Sequence, residues 1–198
     1  MSGAVKIFLE TGKKTTPEFV FIKTLLRSIG KSVADEDIEC LDGWTNLEKI
    51  FAQQVRKPEI EKILIVFDAD FVRNNGGFEY RKKDLETVIN RSSQAELFLF
   101  PNNADDGDFE TLLAQIVNKE NNERFFDCFS DFEKCLGDSY RQPNLKAKLY
   151  SYINLQKKLS SQERDKLGRG EWLFEDKRFW NLDHPSLDTL KEFFLRNI

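Results

Sequence analysis

Histidine occurs once in this chain, as His184. A hydrolytic triad built on imidazole would have to use it, and no serine lies in a nucleophile-elbow motif. Cysteine is scarce too. Cys40, Cys128 and Cys135 are odd in number and lack the paired spacing of a zinc site. That argues against a disulfide framework or thiolate metal centre, and buried free thiols in a reducing compartment are expected. No apolar run approaches membrane-spanning length, and no basic segment followed by an apolar stretch opens the chain, so a cytoplasmic protein without a membrane span is expected. Nor is there an excess of positive charge: 30 Lys and Arg stand against 34 Asp and Glu, a net −4. A surface field of that sign does not attract nucleic acid as a whole, and a nucleic-acid role needs a local basic patch.

What the chain does have is Ile63-Leu64-Ile65-Val66-Phe67 running straight into Asp68-Ala69-Asp70. So uniform an apolar run reads as a strand buried on both faces, the habit of parallel sheets. Asp68 and Asp70, two apart, would project from one side of an extended chain, at the carboxyl end where open α/β sheets bind ligands. Paired carboxylates there suit a hard cation, magnesium or manganese. The run Val5-Lys6-Ile7-Phe8-Leu9 ends in the same way on Glu10-Thr11-Gly12. Laid parallel to 63–67, it brings Glu10 to the edge that holds Asp68 and Asp70. A third run, Leu97-Phe98-Leu99-Phe100, leads to a second acidic segment, Asp105-Asp106-Gly107-Asp108-Phe109-Glu110, at the same edge.

Between these strands the spacing is helical. Pro17 sits where a helix can begin, and Phe19, Val20, Ile22, Leu25, Leu26 and Ile29 share a face until Gly30. Positions 37–41 alternate as a half-buried strand, 46–55 and 80–90 read as helices, and Asn74-Asn75-Gly76-Gly77 as a flexible loop. The resulting βαβαβαβ order calls for an α/β fold with a mostly parallel, four-stranded sheet covered by helices. Beyond 108 the pattern is helical over 109–117, 124–136 and 145–159. The stretch 160–170 reads as a polar, mobile connection, and 185–198 as a last amphipathic helix packing Leu187, Leu190, Phe193 and Phe194 onto the body. The length suits a single domain over 1–198, with a core over 1–120 and a helical extension over 121–198.

A strand ending in glutamate with a nearby glycine, and later a strand ending in Asp-x-Asp, resembles the Toprim domain of primases, topoisomerases and the overcoming-lysogenization-defect nucleases. Glu10 with Gly12 looks like the first motif and Asp68-Ala69-Asp70 like the second. The stretches Phe100-Pro101-Asn102-Asn103, Gly107-Asp108-Phe109-Glu110-Thr111-Leu112-Leu113 and Trp180-Asn181-Leu182-Asp183-His184-Pro185 resemble a bacterial branch of Toprim-like proteins to which no activity is attached. The resemblance implies a Toprim-like (Rossmann-like) fold, a glutamate for proton transfer or metal binding, aspartates for magnesium, and the breaking or forming of phosphodiester bonds. On that basis Glu10 is the expected catalytic residue. Glu10, Asp68 and Asp70 are the expected metal ligands, joined by Glu110, with Mg2+ or Mn2+ as cofactor. The first motif departs from the usual one, in which glycine follows glutamate directly and an aspartate comes soon after. Here Thr11 intervenes and the next acid is Glu18.

Plainer roles compete for the same residues. Asp68 and Asp70 suit a strand-end turn, Asp108 a helix cap, and His184, Trp44 and Trp172 packing. Gly12, Lys13, Lys14 and Arg73 flank the acids as phosphate or nucleic-acid contacts, although a lysine pair is ordinarily solvated. Arg81-Lys82-Lys83 reads either as a basic patch or as a helix face in water. An EF-hand is excluded, because Val72 falls where that loop needs an oxygen ligand and no glycine holds its sixth place. The leading expectation is a magnesium-dependent phosphodiesterase or nuclease acting on nucleic acid. Its rivals are a non-catalytic Toprim-like module that binds a ligand or partner, and a metal-dependent nucleotide-sugar transferase, for which Asp-x-Asp after an apolar strand is also a signature.

Overall fold

A computed structural model describes residues 4–120 and 122–198; the expected start of the helical extension, at 121, lies outside the described residues. Four parallel strands form one sheet in the order β2-β1-β3-β4, with β1 at Ala4–Leu9, β2 at Ile38–Cys40, β3 at Ile60–Asp68 and β4 at Ala95–Phe100. This is the α/β, Rossmann-like architecture that the alternation of strand and helix calls for.

The uniform apolar run of β3 has its reason in two cores. Leu64 and Val66 enter one, while Ile63, Ile65 and Phe67 enter the other, so no position of 63–67 meets water. Helices α1 (Pro17–Ser28) and α4 (Phe109–Ile116) contribute to the first core, and α2 (Leu47–Gln54) and α3 (Phe78–Ile89) to the second. Each fully buried Leu, Ile or Phe stabilises the fold by about 1.5–3 kcal/mol. Register then sets the site. Leu9 pairs with Val66 and Cys40, and Asp68 pairs with Phe100, so Glu10, Asp68 and the loop after Phe100 emerge at the same sheet edge.

The C-terminal third is α5 (Glu123–Leu136), α6 (Leu145–Asn154), α7 (Ser161–Gly168) and α8 (Asp188–Asn197). Leu149, Tyr152, Trp180, Leu190 and Phe194 from this part join the first core directly. Trp180 Nε1 donates to the Trp172 carbonyl at 2.7 Å, and the Tyr152 hydroxyl donates to the Asn118 carbonyl at 2.8 Å, so the polar ends of these large side chains are satisfied inside.

Three expectations are corrected. Where a mobile connection is expected over 160–170 there is a helix, α7, opened by a capping box: the Glu163 amide donates to Ser160 Oγ at 3.2 Å, and the Ser160 amide donates to Glu163 Oε2 at 2.7 Å. Helix α6 stops at Asn154 rather than 159, because Arg164 donates to the Asn154 carbonyl at 2.5 Å and to the Gln156 carbonyl at 2.9 Å, satisfying its terminal acceptors. Cys128 and Cys135 are exposed rather than buried: α5 packs on the core through Phe125 and Phe126, and the cysteines fall off that face. Among the described residues, no helix is long and apolar enough to cross a membrane.

Candidate functional site

Two strand ends and two helix starts meet at the carboxyl edge of the sheet. Glu10 follows β1, and its Oε2 accepts the Asp68 amide at 3.2 Å, so the first glutamate and the end of β3 are physically joined. Asp68 Oδ1 accepts the Phe109 amide, the first of α4, at 2.8 Å. Helix α1 begins with Thr16 as cap and Pro17 in its first turn, which places Glu18 in that turn and buries it. Glu110 occupies the corresponding first turn of α4 and pairs with Lys146 of α6 at 3.0 Å. Both helix starts direct partial positive charge toward this edge, where it favours carboxylates.

The acidic segment after β4 divides into structural and site residues. Asp108 caps α4 in a reciprocal box with Thr111, whose amide lies 2.8 Å from Asp108 Oδ1, and Asp106 Oδ1 accepts the Phe78 amide at 2.7 Å, capping α3. The helix-cap reading of Asp108 therefore holds.

Asp70 does not continue the alternation expected of it. The strand ends at Asp68, Ala69 is buried, and Asp70 has φ +60°, so the rule that residues two apart share a face no longer applies. Its Oδ2 lies 2.5 Å from Arg81 Nη2. Nor is Arg81 part of a solvated basic face: it is 3% exposed, with its guanidinium 4.4 Å from the ring centroid of Trp44, which is itself only half-buried. Arg81 lies on the buried side of α3 with Phe78, Leu85 and Ile89.

Burial pushes the Glu18 carboxyl up to about 8, reinforced by Glu10 and then Glu110 and opposed by Lys146. Burial likewise holds Asp68 well above the usual carboxylate range, with Glu18, Glu10 and Glu110 adding to it. Glu10 is raised by burial, partly offset by the Asp68 amide and then by Arg81. Glu18 is thus a member of the site that motif reasoning passes over, and its Oε1 is buried without a hydrogen-bond partner. Clustered carboxylates of this kind are relieved by protons or by a cation. Among the described residues no three carboxylate, thiol or imidazole groups stand ready to hold a metal ion. Even so, an all-oxygen donor set with an orphaned buried oxygen is chemically matched to a hard divalent cation.

The flanking candidates lie at the surface, in the following surroundings. Gly12 is exposed and closely faces Asp42, with 2.6 Å from an added Cβ to Asp42 Oδ1. Lys13 is exposed, the Lys14 ammonium donates to the Asp35 carbonyl, and the exposed Arg73 sits 4.9 Å from the Phe71 ring centroid. His184 Nδ1 accepts the Ser186 amide at 3.2 Å. Beside the acids, an apolar groove of about 390 Å³ lies between Pro17, Tyr150, Leu167 and Trp172, with Lys146 in its wall.

The family model DUF3226, described as a protein of unknown function, matches residues 18–198. No curated protein and no solved structure matches the chain.

Proposed function

The chain belongs to the DUF3226 family of proteins of unknown function, and from the site itself we propose a Toprim-like, magnesium- or manganese-dependent phosphodiesterase that acts on nucleic acid. The observation that carries the reading is the gathering of Glu10, Glu18, Asp68 and Glu110 at the carboxyl edge of β1 and β3, with Glu18 Oε1 buried and unpartnered. Glu10 and Asp68 would hold the cation, with Glu18 and Glu110 beside them. A divalent ion there supplies charge stabilisation for phosphoryl transfer and makes an acidic edge compatible with a polyanion. Glu10, fastened to the Asp68 amide and with its carboxyl raised by burial, either completes the cation site in this way or passes a proton to the leaving oxygen. The groove beside Lys146 offers apolar surface for a base next to that edge.

The test is calorimetric titration of Mg2+ and Mn2+ together with cleavage of labelled single-strand and duplex DNA and RNA. Binding and cleavage in the wild type, with both weakened or lost in Asp68→Asn and in Glu10→Gln, are expected. A wild type that neither binds cation at millimolar concentration nor cleaves would overturn the enzymatic reading. A second reading, a non-catalytic Toprim-like module binding a ligand or partner at the same edge, is favoured by one observation: Asp70 is already neutralised by Arg81.

A further inference from the structure

A nucleic-acid ligand needs a local basic surface on a chain of net charge −4. Two of the basic residues beside the acidic motifs are already engaged, Lys14 by the Asp35 carbonyl and Arg81 by Asp70. Resting on the nucleic-acid reading above, we infer that a single strand docks by its phosphodiester backbone in a cleft at the far end of α4, lined by Lys119, Lys157, Lys158 and Lys177. Two hollows of about 550 and 560 Å³ adjoin there, because Asn118 and Glu120 line both. Lys119 and Lys177 stand at the first, with Trp180 and His184 in its wall, and Lys157 and Lys158 stand at the second. Helix α4 begins at the carboxylate edge, and its 8 residues carry the chain about 12 Å away from it, so this surface is separate.

Charge decides what the cleft attracts. All four lysines are exposed, and among the described residues none of them has an ion-pair partner. Lys119 lies 5.6 Å from the Phe126 ring centroid, a contact that leaves its charge unpaired. Of the other charged groups, Glu175 pairs with Arg27 at 3.1 Å, and Arg178 is held by Asp176 and Glu163. Glu120 and Asp183 are the acids left, against the four lysines. The backbone carrying these groups is pinned. The Asn118 amide donates to the Phe179 carbonyl at 2.7 Å and Asn118 Nδ2 to the Lys177 carbonyl at 2.9 Å. Arg164 donates to the Gln156 carbonyl at 2.9 Å, just before Lys157. His184 accepts the Ser186 amide at Nδ1, which leaves the proton of its neutral ring on Nε2 as a further donor at the first hollow. A surface already ordered loses less on meeting phosphates than a flexible lysine tail does. Leu155, 67% exposed at the second hollow, offers an apolar contact to an unstacked base, which a duplex keeps inside; that favours a single strand.

Fluorescence anisotropy tests this with labelled single strands of about 12 nucleotides and the matching DNA duplex, in EDTA and in Mn2+, at low and raised salt. The wild type is expected to bind the single strand in EDTA, DNA and RNA alike because the phosphodiester is shared, and to lose affinity steeply as salt rises. Lys157→Glu with Lys158→Glu, and Lys119→Glu with Lys177→Glu, are each expected to weaken binding at least about tenfold. Lys82→Glu with Lys83→Glu, the same change of net charge on α3, is expected to stay within about threefold. An equal loss in all three double variants would reduce the effect to net charge and overturn the inference. Binding that requires Mn2+ and falls in Asp68→Asn, while both cleft variants bind as the wild type does, would place the strand at the carboxylate edge; the inference would fall and the proposed function stand. No binding in either medium would remove both, and tighter binding of the duplex would overturn the choice of ligand. Thermal unfolding checks the fold. Should Lys157→Glu with Lys158→Glu not fold, Lys157→Ala with Lys158→Ala replaces it, with an expected loss of at least about threefold.

Discussion

Glu18 shows how much one residue's surroundings can change its chemistry. In sequence it is an ordinary acid after Pro17; in the fold it is enclosed with Glu10 and Glu110, and its carboxyl rises from an ordinary 4.5 to about 8. Between those values the folded protein keeps a proton that the unfolded chain has released, so stability falls as pH rises through that window. Asp68, also raised, acts with the same sign. Unfolding temperature without divalent cation is therefore expected to fall from pH 5 to pH 8. Glu18→Gln, which mimics the protonated acid, is expected to flatten that slope and to unfold at a higher temperature than the wild type at pH 8. A slope of the same steepness in both proteins would remove the buried-acid account. Glu10 and Asp68 are legible as site residues because each ends an apolar strand. Glu18 and Arg81 are not, because a first-turn acid and a helical arginine have common solvated uses.

At the scale of elements, the acidic stretch after β4 shows that acids close to a sheet edge can serve helix ends instead of a site. Asp106 and Asp108 cap α3 and α4. Asp108→Ala is expected to cost about 1 kcal/mol in denaturant unfolding while cation affinity stays within about threefold; a loss of cation binding on the scale of Asp68→Asn would instead place Asp108 in the site. The same logic explains α7. Ser160 and Glu163 stand three apart as a capping box requires, a signal present in the sequence but outweighed by the polarity of 160–170. The early end of α6 was not legible, since the Arg164 guanidinium that caps it comes from ten residues further on.

For the whole molecule, the C-terminal third completes the main core. Phe109, Leu112, Leu113 and Ile116 of α4 share that core with Leu149, Tyr152, Trp180, Leu190 and Phe194. Trp180→Ala is expected to cost about 3–5 kcal/mol in chemical denaturation. A chain ending after residue 120 is expected to lack a cooperative transition and to bind a hydrophobic dye; a cooperative two-state melt of that fragment would show that the extension is dispensable. The long apolar runs that become β1, β3 and β4, a mostly parallel sheet and the edge at which Glu10 and Asp68 emerge are legible in the sequence, because burial on two faces demands such runs. Which acids come close to one another is set by contacts between segments far apart in the chain. Asp70 turns to Arg81 through a left-handed backbone, and Glu18 arrives from a separate helix. Such pairings depend on packing between distant segments, which no local pattern of residues encodes.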